Sequence, residues 1–367
     1  MTQLSRILIL LLILFFVLLA AGCAGGDCGV GRQTVIVSKI SQNGTLLWSQ
    51  VFDTGIMNRI YNIFPLPDGG IVTAGSLSTK RQTCVQEYKA RIMRFSDSGY
   101  ITWDRLFDTS GIGKATAITA TNDEGFVTVF NTGEIYKLDQ DGNKIWSRNT
   151  GKSSDYWSAI ETDDGGIVIA GPVFLKLDRN GNILWQRSFP NSSPSEMNSV
   201  VELKDNRGFA MEYFIHDPLN WNNHMIVLSL SDPEGNFINS ISIPEKSYFI
   251  RHFFSEIPGG YMIFLSNEEF NNKTGILRFN TNGTFVNKQV LNASFPVILT
   301  KDSGYIYAEI INQNVHVVKM DMNETWEWDS LIPVTDPRFE VSTDMIIQTS
   351  DNGYIITYGS WDTVDLR

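Results

Sequence analysis

Cysteine and histidine, the side chains that most often bind transition metals or serve as nucleophiles, are scarce in this chain. Its 367 residues include four histidines and three cysteines. The spacing of His216, His224, His252 and His316 matches no zinc site. The sequence also lacks a Gly-x-Ser-x-Gly elbow, a phosphate-binding glycine loop and a zincin helix. We therefore predict no metal and no cofactor, and no catalytic residue can be named.

Positive charge is also in short supply. The chain has 29 basic and 40 acidic residues, a formal net charge of −11, and its densest basic cluster is only Lys80-Arg81. A surface of this sign repels phosphate backbones, which excludes nucleic acid as a partner. The same charge is typical of a solvated, soluble surface, and we predict a monomer.

One long apolar run stands at the N-terminus. Arg6 precedes the apolar residues 7–21, and Leu19-Ala20-Ala21-Gly22-Cys23 resembles the lipobox of a lipoprotein signal peptide. This predicts a signal peptide over residues 1–22, a lipid on Cys23, a tether over 23–33 and a location at the outer side of the cell membrane. An uncleaved anchor is the alternative, because residues 7–26 are 20 uncharged residues in a row.

The two remaining cysteines have two possible states. In an oxidising compartment Cys28 and Cys84 can form a disulfide that ties the tether to a long loop. Two unpaired thiols are the other possibility, and the sequence does not decide between them.

What the chain does contain is a repeat. A turn of the type Asp-Gly-Gly followed by an aliphatic or aromatic residue occurs seven times, sometimes in a weaker form. Its last glycine recurs at intervals of 55, 41, 42, 52, 44 and 49 residues, a period typical of propeller blades. The aligned glycines are Gly70, Gly125, Gly166, Gly208, Gly260, Gly304 and Gly353.

A second repeated phrase, Lys-Leu-Asp-x-x-Gly-Asn, leads to a tryptophan four residues after its glycine. We predict that these rings dock between blades and are largely buried there. The docking tryptophans are Trp48, Trp103, Trp146, Trp185 and Trp328, whereas two blades have Asn239 and Asn287. The phrases divide a blade into strands A to D, for example 115–120, 126–130, 135–139 and 144–148.

The chain ends indicate how the ring closes. Residues 35–40 and 45–50 are a C and a D strand with no A or B before them, while 343–348 and 354–358 are an unpartnered A and B. Pairing them completes a seventh blade and removes exposed edges. The sequence thus predicts an all-β, seven-bladed propeller over residues 34–367. In a competing arrangement, residues 361–367 form the start of a C strand.

The tryptophan phrase resembles the docking repeat of pyrroloquinoline-quinone-like propellers. The whole pattern is similar to that of archaeal and bacterial lipoproteins with Asp-Gly-Gly-Tyr propeller repeats. The resemblance spans about residues 34–360 and implies the fold. It does not imply quinone binding, because the adjacent cysteine pair and calcium-binding carboxylates of the dehydrogenases are not evident.

Length variation suggests where recognition occurs. The repeated A–B and C–D turns must share one face, and the other face carries the connections that differ between blades. One of these, residues 215–224, contains the candidate recognition residues His216, Asp217, Trp221 and His224. We expect a lipid-anchored, non-catalytic binding or scaffolding module whose partner is an envelope protein, a glycan or a secreted peptide. The alternative is an extracytoplasmic hydrolase or lyase acting on carbohydrate near the central channel.

Overall fold

The structure is a computed structural model. It describes residues 33–52, 58–78, 88–109, 113–155, 157–189, 196–217, 220–246, 251–266, 273–294, 296–334 and 339–362. Within these ranges the chain forms 28 strands and one short 3-10 turn, at Lys204–Asn206. None of these residues belongs to a helix that is long and apolar enough to cross a membrane.

Every sheet is a four-stranded antiparallel blade. The first three blades in chain order each contain four consecutive strands. Blade 1 comprises β3 (Asn58–Pro65), β4 (Ile71–Ser78), β5 (Tyr88–Phe95) and β6 (Ile101–Phe107). Blade 2 comprises β7 (Ala115–Ala120), β8 (Phe126–Phe130), β9 (Glu134–Leu138) and β10 (Lys144–Asn149). Blade 3 comprises β11 (Ser158–Glu161), β12 (Ile167–Ala170), β13 (Phe174–Leu177) and β14 (Ile183–Arg187).

The next three blades repeat this order. Blade 4 comprises β15 (Glu196–Leu203), β16 (Gly208–Asp217), β17 (Asn220–Ser231) and β18 (Phe237–Lys246). Blade 5 comprises β19 (Arg251–Ile257), β20 (Gly260–Ser266), β21 (Thr274–Asn280) and β22 (Phe285–Leu291). Blade 6 comprises β23 (Val297–Leu299), β24 (Tyr305–Ile311), β25 (Asn314–Met320) and β26 (Trp326–Ile332).

Blade 7 joins the two ends of the described chain. It comprises β27 (Phe339–Gln348), β28 (Tyr354–Asp362), β1 (Gln33–Ile40) and β2 (Leu46–Phe52), in the sheet order β2-β1-β28-β27. The predicted closure is confirmed. The competing C strand is wrong for Trp361 and Asp362, because β28 continues through them and Trp361 pairs with both Gln33 and Glu340. Residues 363–367 lie outside the described ranges.

The A strands surround the central axis. Each contacts the A strand of the next blade, and β27 contacts β3 to close the ring of seven. Burial decreases outward, since every residue of β8 is buried whereas most of β10, the outermost strand of the same blade, is exposed. Inner strands are covered by neighbouring blades on both sides, which explains their nearly continuous apolar sequence.

The hydrophobic core lies between adjacent blades. One of its layers packs Val37 and Phe52 of blade 7 against Ile71 and Met93 of blade 1, all of them buried. A four-stranded sheet alone could cover only one of its faces. The seven-fold arrangement buries both faces of the inner strands, which is why the repeat specifies a closed ring.

A basic residue near the end of strand C, a buried lysine in four cases and the partly exposed Arg94 in the fifth, pairs with the aspartate of the A–B turn in five of the described blades. The shared geometry is an ammonium or guanidinium nitrogen within about 3 Å of a carboxylate oxygen. The pairs are Arg94–Asp68 at 2.8 Å, Lys137–Asp123 at 2.6 Å, Lys176–Asp164 at 2.6 Å, Lys319–Asp302 at 3.1 Å and Lys39–Asp351 at 2.9 Å. The two repeated phrases are therefore linked by an ion pair, a relation that we had not predicted from their spacing.

Candidate recognition face

The topology gives the propeller two unlike faces. The A–B turns, such as 121–125, and the C–D turns, such as 139–143, lie at one end of the strands, which we call the uniform face. The B–C and D–A connections lie at the other end, the variable face. These turns are built alike: Gly125 N donates to Asp123 Oδ1 at 3.1 Å, and Asn143 N to Asp139 Oδ1 at 2.8 Å.

Blades differ most at their B–C connections. Blades 2, 3 and 6 close with tight turns at 131–133, 171–173 and 312–313. In blade 4, β16 and β17 are 10 and 12 residues long, against five each for β8 and β9 in blade 2. A longer hairpin therefore extends from the variable face at blade 4.

The candidate recognition residues lie on this hairpin. His216 is directly opposite His224 in the β16–β17 ladder, and Asp217 is opposite Asn220. We had predicted a connecting loop over residues 215–224. That interpretation was wrong, because strand pairing continues through most of the segment and β18 extends it on the other side, with His224 opposite Glu245.

Within the hairpin, one of the predicted residues has a described side chain. His216 is partly buried and stacks on Phe214, with ring centroids 6.4 Å apart and an interplanar angle of 27°. The side chains of Asp217, Trp221 and His224 are outside the described part, although their strands are defined. Cys23, Cys28 and Cys84 are also outside it, so the lipid site and the disulfide stay predictions.

Sequence reasoning missed a polar cluster in blade 6. His316 Nε2 lies 2.9 Å from Asp329 Oδ2 and its Nδ1 lies 3.2 Å from Glu309 Oε1, while Ser294 donates to Glu309 Oε2 at 2.9 Å. The serine hydroxyl bonds the carboxylate, so the cluster does not form a Ser–His nucleophile pair. The alternation along β25 could have indicated which side of the strand His316 faces, but its two partners come from other strands, β24 and β26.

The docking tryptophans share one packing site at the uniform face. Each ring lies over the C–D turn of the following blade: Trp103 covers Gly142, which has φ +78° and where an added Cβ would be 3.1 Å from the ring. Trp103 Nε1 donates to Gln140 O at 2.8 Å and Trp146 Nε1 to Arg179 O at 3.2 Å. Asn239, which replaces the tryptophan in blade 4, makes the equivalent bond to Asn282 O at 2.7 Å.

The rings are less buried than we predicted. Trp103 is 8% exposed, but the other four are only partly covered. The reason is their place on the outermost strand, where the ring covers a turn while one edge stays in contact with water. The other four are Trp48, Trp146, Trp185 and Trp328.

This difference predicts graded losses of stability. Trp103→Ala should lower the free energy of unfolding by about 3 kcal/mol, as for a buried aromatic residue, and Trp146→Ala by less. Trp146→Asn should recover part of the loss because asparagine supplies the blade 4 hydrogen bond. Urea denaturation midpoints measure all three, and a midpoint for Trp103→Ala equal to that of the parent would contradict the packing role.

The described residues contain no group of three or more His, Cys, Asp or Glu side chains placed to hold a metal ion. No protein-family profile matches the chain. A search of curated proteins also gives no match.

Solved structures do match. Sqt1 from Chaetomium thermophilum is similar with a TM-score of 0.52 and 8% identity, over 83% of this chain and 96% of that one. The Pan2 WD40 domain of Neurospora crassa gives 0.51 and 10%, over 84% and 91%. The C-terminal WD40 domain of Sif2 gives 0.51 and 10%, over 83% and 96%. The likeness shows a WD40-like propeller fold, in agreement with the seven four-stranded blades of this chain.

Proposed function

We propose that this chain is a lipid-anchored propeller of the cell envelope that acts as a non-catalytic binding or scaffolding module through its variable face. The observation that carries the proposal is the blade 4 hairpin, β16–β17 with β18 beside it, on a face where blades 2, 3 and 6 close with tight turns. A projecting element on a rigid scaffold is a common way to build a recognition surface. The partner is an envelope protein, a glycan or a secreted peptide.

The strand order determines which face of the propeller a lipid on Cys23 would hold near the membrane. A C strand begins at the variable face and a B strand ends there, so Gln33 of β1 and Asp362 of β28 both lie at that face. Cys23 precedes Gln33 by ten residues, which span at most about 35 Å when extended. A lipid on Cys23 would therefore hold the variable face close to the membrane.

Lipidation is tested by Cys23→Ala. We expect this variant to lose incorporation of labelled lipid and to accumulate as an unprocessed or released precursor, because the thiol is the acceptor. Cys28→Ala is the matched control and should be labelled like the parent. Unchanged labelling and processing of Cys23→Ala would contradict the anchor.

The hairpin is tested by shortening it. Residues 215–225 can be replaced by Asn-Gln, the turn that closes blade 6, because Phe214 and Ile226 are cross-strand partners. The variant should retain the propeller's melting transition but recover at least about 10-fold less of the partner from crosslinked envelopes, since the contact surface is gone. Gln140→Ala, on the uniform face, is the control. Equal recovery by the shortened variant and the parent would contradict recognition by this hairpin.

One observation favours the carbohydrate-active alternative. Glu161 and Glu202 occupy equivalent A-strand positions in blades 3 and 4, and burial raises the pKa of both carboxyl groups. A raised pKa suits a general acid in glycoside cleavage. Cleavage of a glycan panel by the parent, lost in Glu161→Gln and Glu202→Gln, would support an enzyme in place of the scaffold.

A further inference from the structure

A cleft of about 160 Å³ opens on the uniform face between blades 2 and 3. Blade 2 contributes Asn122 and Asp123 of its A–B turn and Lys137 of β9. Blade 3 contributes Glu161, which precedes its A–B turn, and Arg179 of its C–D turn. An engineered cavity of about 150 Å³ is known to hold benzene. The cleft therefore has room for an organic molecule of about six heavy atoms.

Two carboxylates line the cleft, one from each blade, and the protein uses one oxygen of each. Asp123 Oδ1 accepts from Thr121 Oγ1 and from Lys137 Nζ, both at 2.6 Å, and Glu161 Oε2 accepts from Asn122 N at 2.8 Å. The second oxygen of each carboxylate accepts no hydrogen bond from the described residues. Each carboxylate is thus fixed through one oxygen, and its other oxygen remains available to a donor.

Blade 3 also contributes a guanidinium group to the cleft. Arg179 lies over Gly165, where an added Cβ would be 2.4 Å from its Nε and Nη2 atoms. Burial raises the pKa of the Glu161 carboxyl group, and the charges of Lys137 and Arg179 act to lower it. Although the side chains of Glu161 and Arg179 are both described, no ion pair joins them. The cleft is therefore lined by opposite charges that are not all paired with each other.

The repeat itself does not require this arrangement. The position of Glu161 is Ala120 in blade 2, and that of Arg179 is Gln140 in blade 2 and Pro233 in blade 4. Glu202 repeats the glutamate in blade 4 and accepts from Asp163 N at 2.7 Å, but it faces no arginine at that turn position. The combination of glutamate and arginine is specific to the junction of blades 2 and 3.

We propose that this cleft binds a small zwitterion, a free α-amino acid, whose ammonium group contacts Asp123 and Glu161 and whose carboxylate contacts Arg179. Guanidinium and carboxylate groups match in shape and form paired, charge-assisted hydrogen bonds. An ammonium group donates three hydrogen bonds, enough to reach both free carboxylate oxygens. This site is independent of the variable face and of the membrane anchor.

Burial of Glu161 gives the site a pH dependence. Because burial raises the pKa of its carboxyl group, ionisation in the empty cleft is disfavoured, and a bound ammonium group would favour it. Binding should therefore weaken as the pH falls through the range in which Glu161 takes up a proton. Asp123 contributes less to this change, because its pKa is lowered: burial acts to raise it, but hydrogen bonds from Lys137 and Thr121 outweigh burial.

The probes are L-alanine and L-serine, compared with N-acetyl-L-alanine and L-alaninamide, which lack one charge each. Titrations followed by calorimetry or ligand-observed NMR should give dissociation constants in the millimolar range for the zwitterions. Each blocked probe should bind at least about 10-fold more weakly. No binding of either zwitterion, or equal binding of the blocked probes, would overturn the proposal.

The variants use residues that the repeat already tolerates. Arg179→Gln installs the blade 2 residue and Glu161→Gln keeps the shape of the side chain, and each should weaken binding of L-alanine at least about 10-fold. Glu202→Gln is the matched control and should bind like the parent. Melting temperatures confirm that all three are folded. Unchanged affinity in Arg179→Gln, or an equal loss in Glu202→Gln, would show that the ligand is not held by Glu161 and Arg179 in this cleft.

Discussion

Deletion of residues 351–367 should abolish cooperative folding of the propeller. The deletion removes β28, whose Tyr354, Ile355, Ile356 and Tyr358 are all at most 1% exposed. Loss of one buried side chain of this size costs about 3 to 5 kcal/mol, and a whole domain is stable by only about 5 to 15 kcal/mol. The loss of four exceeds what the remaining blades can offset.

The same deletion leaves strands without partners. β28 is hydrogen-bonded to β1 on one side and to β27 on the other, so its removal exposes an edge of each. Unpaired edges promote association with other chains, and we expect aggregation or early elution in size-exclusion chromatography. Deletion of 363–367 alone is the matched control, because it leaves β28 intact. A melting temperature and a monomeric elution equal to those of the parent would contradict the shared seventh blade.

This closure was predictable from the sequence for a simple reason. Alternating apolar residues and positive-φ turns are local signals, and the 41- to 55-residue period repeats them until only one arrangement buries every sheet. The chain begins its repeat with a C strand and ends it with a B strand. The pairing of β1 with β28 follows from that count and not from any special residue.

The candidate site was less predictable, because it depends on departures from the repeat. Asn239 donates to Asn282 O, the hydrogen bond that a tryptophan makes in other blades. The two residue types differ, so the repeat in the sequence does not reveal this equivalence. The hairpin around His216 has the polar, Asn-rich sequence of a loop, yet its ladder continues because β18 supports it on the far side. Glu161 and Arg179 are separated by one strand pair of blade 3, and only the packing of blade 2 against that blade forms a cleft that contains both of them and Asp123.

The lysine–aspartate ion pairs were likewise not predictable from the sequence. Lys39 and Asp351 are at opposite ends of the chain, and neither phrase alone indicates that they meet. Lys39 has a fully buried side chain, and its Nζ donates to Gly69 O at 3.1 Å and to Asp97, in addition to its ion pair with Asp351 at 2.9 Å. Blades 7 and 1 are joined through this one ammonium group.

The pKa shifts in this cluster define the pH range in which it stabilises the fold. Burial acts to lower the pKa of Lys39, but hydrogen bonds with Asp97 and Asp351 outweigh it and the pKa is raised. Its stabilisation is therefore present below the unfolded-state pKa and is lost as the pH rises through the folded-state value. Burial acts to raise the pKa of Asp351, but hydrogen bonds from Thr349 and Lys39 lower it. That contribution is present above the unfolded-state pKa and is lost as the pH falls through the folded-state value.

Replacing both Asp97 and Asp351 by alanine should therefore lower the free energy of unfolding at pH 7 by about 3 kcal/mol, because it leaves the ammonium group of Lys39 buried without a counter-charge. In a Lys39→Met background the same two substitutions should cost about 1 kcal/mol or less, since no buried charge remains to be compensated. Asp68→Ala is the control, because its partner Arg94 is 27% exposed and the pair contributes under about 1 kcal/mol. Urea denaturation of the four combinations measures the coupling. Equal losses in the two backgrounds would show that the aspartates act through the turn hydrogen bonds alone, and that Lys39 does not join the blades by charge.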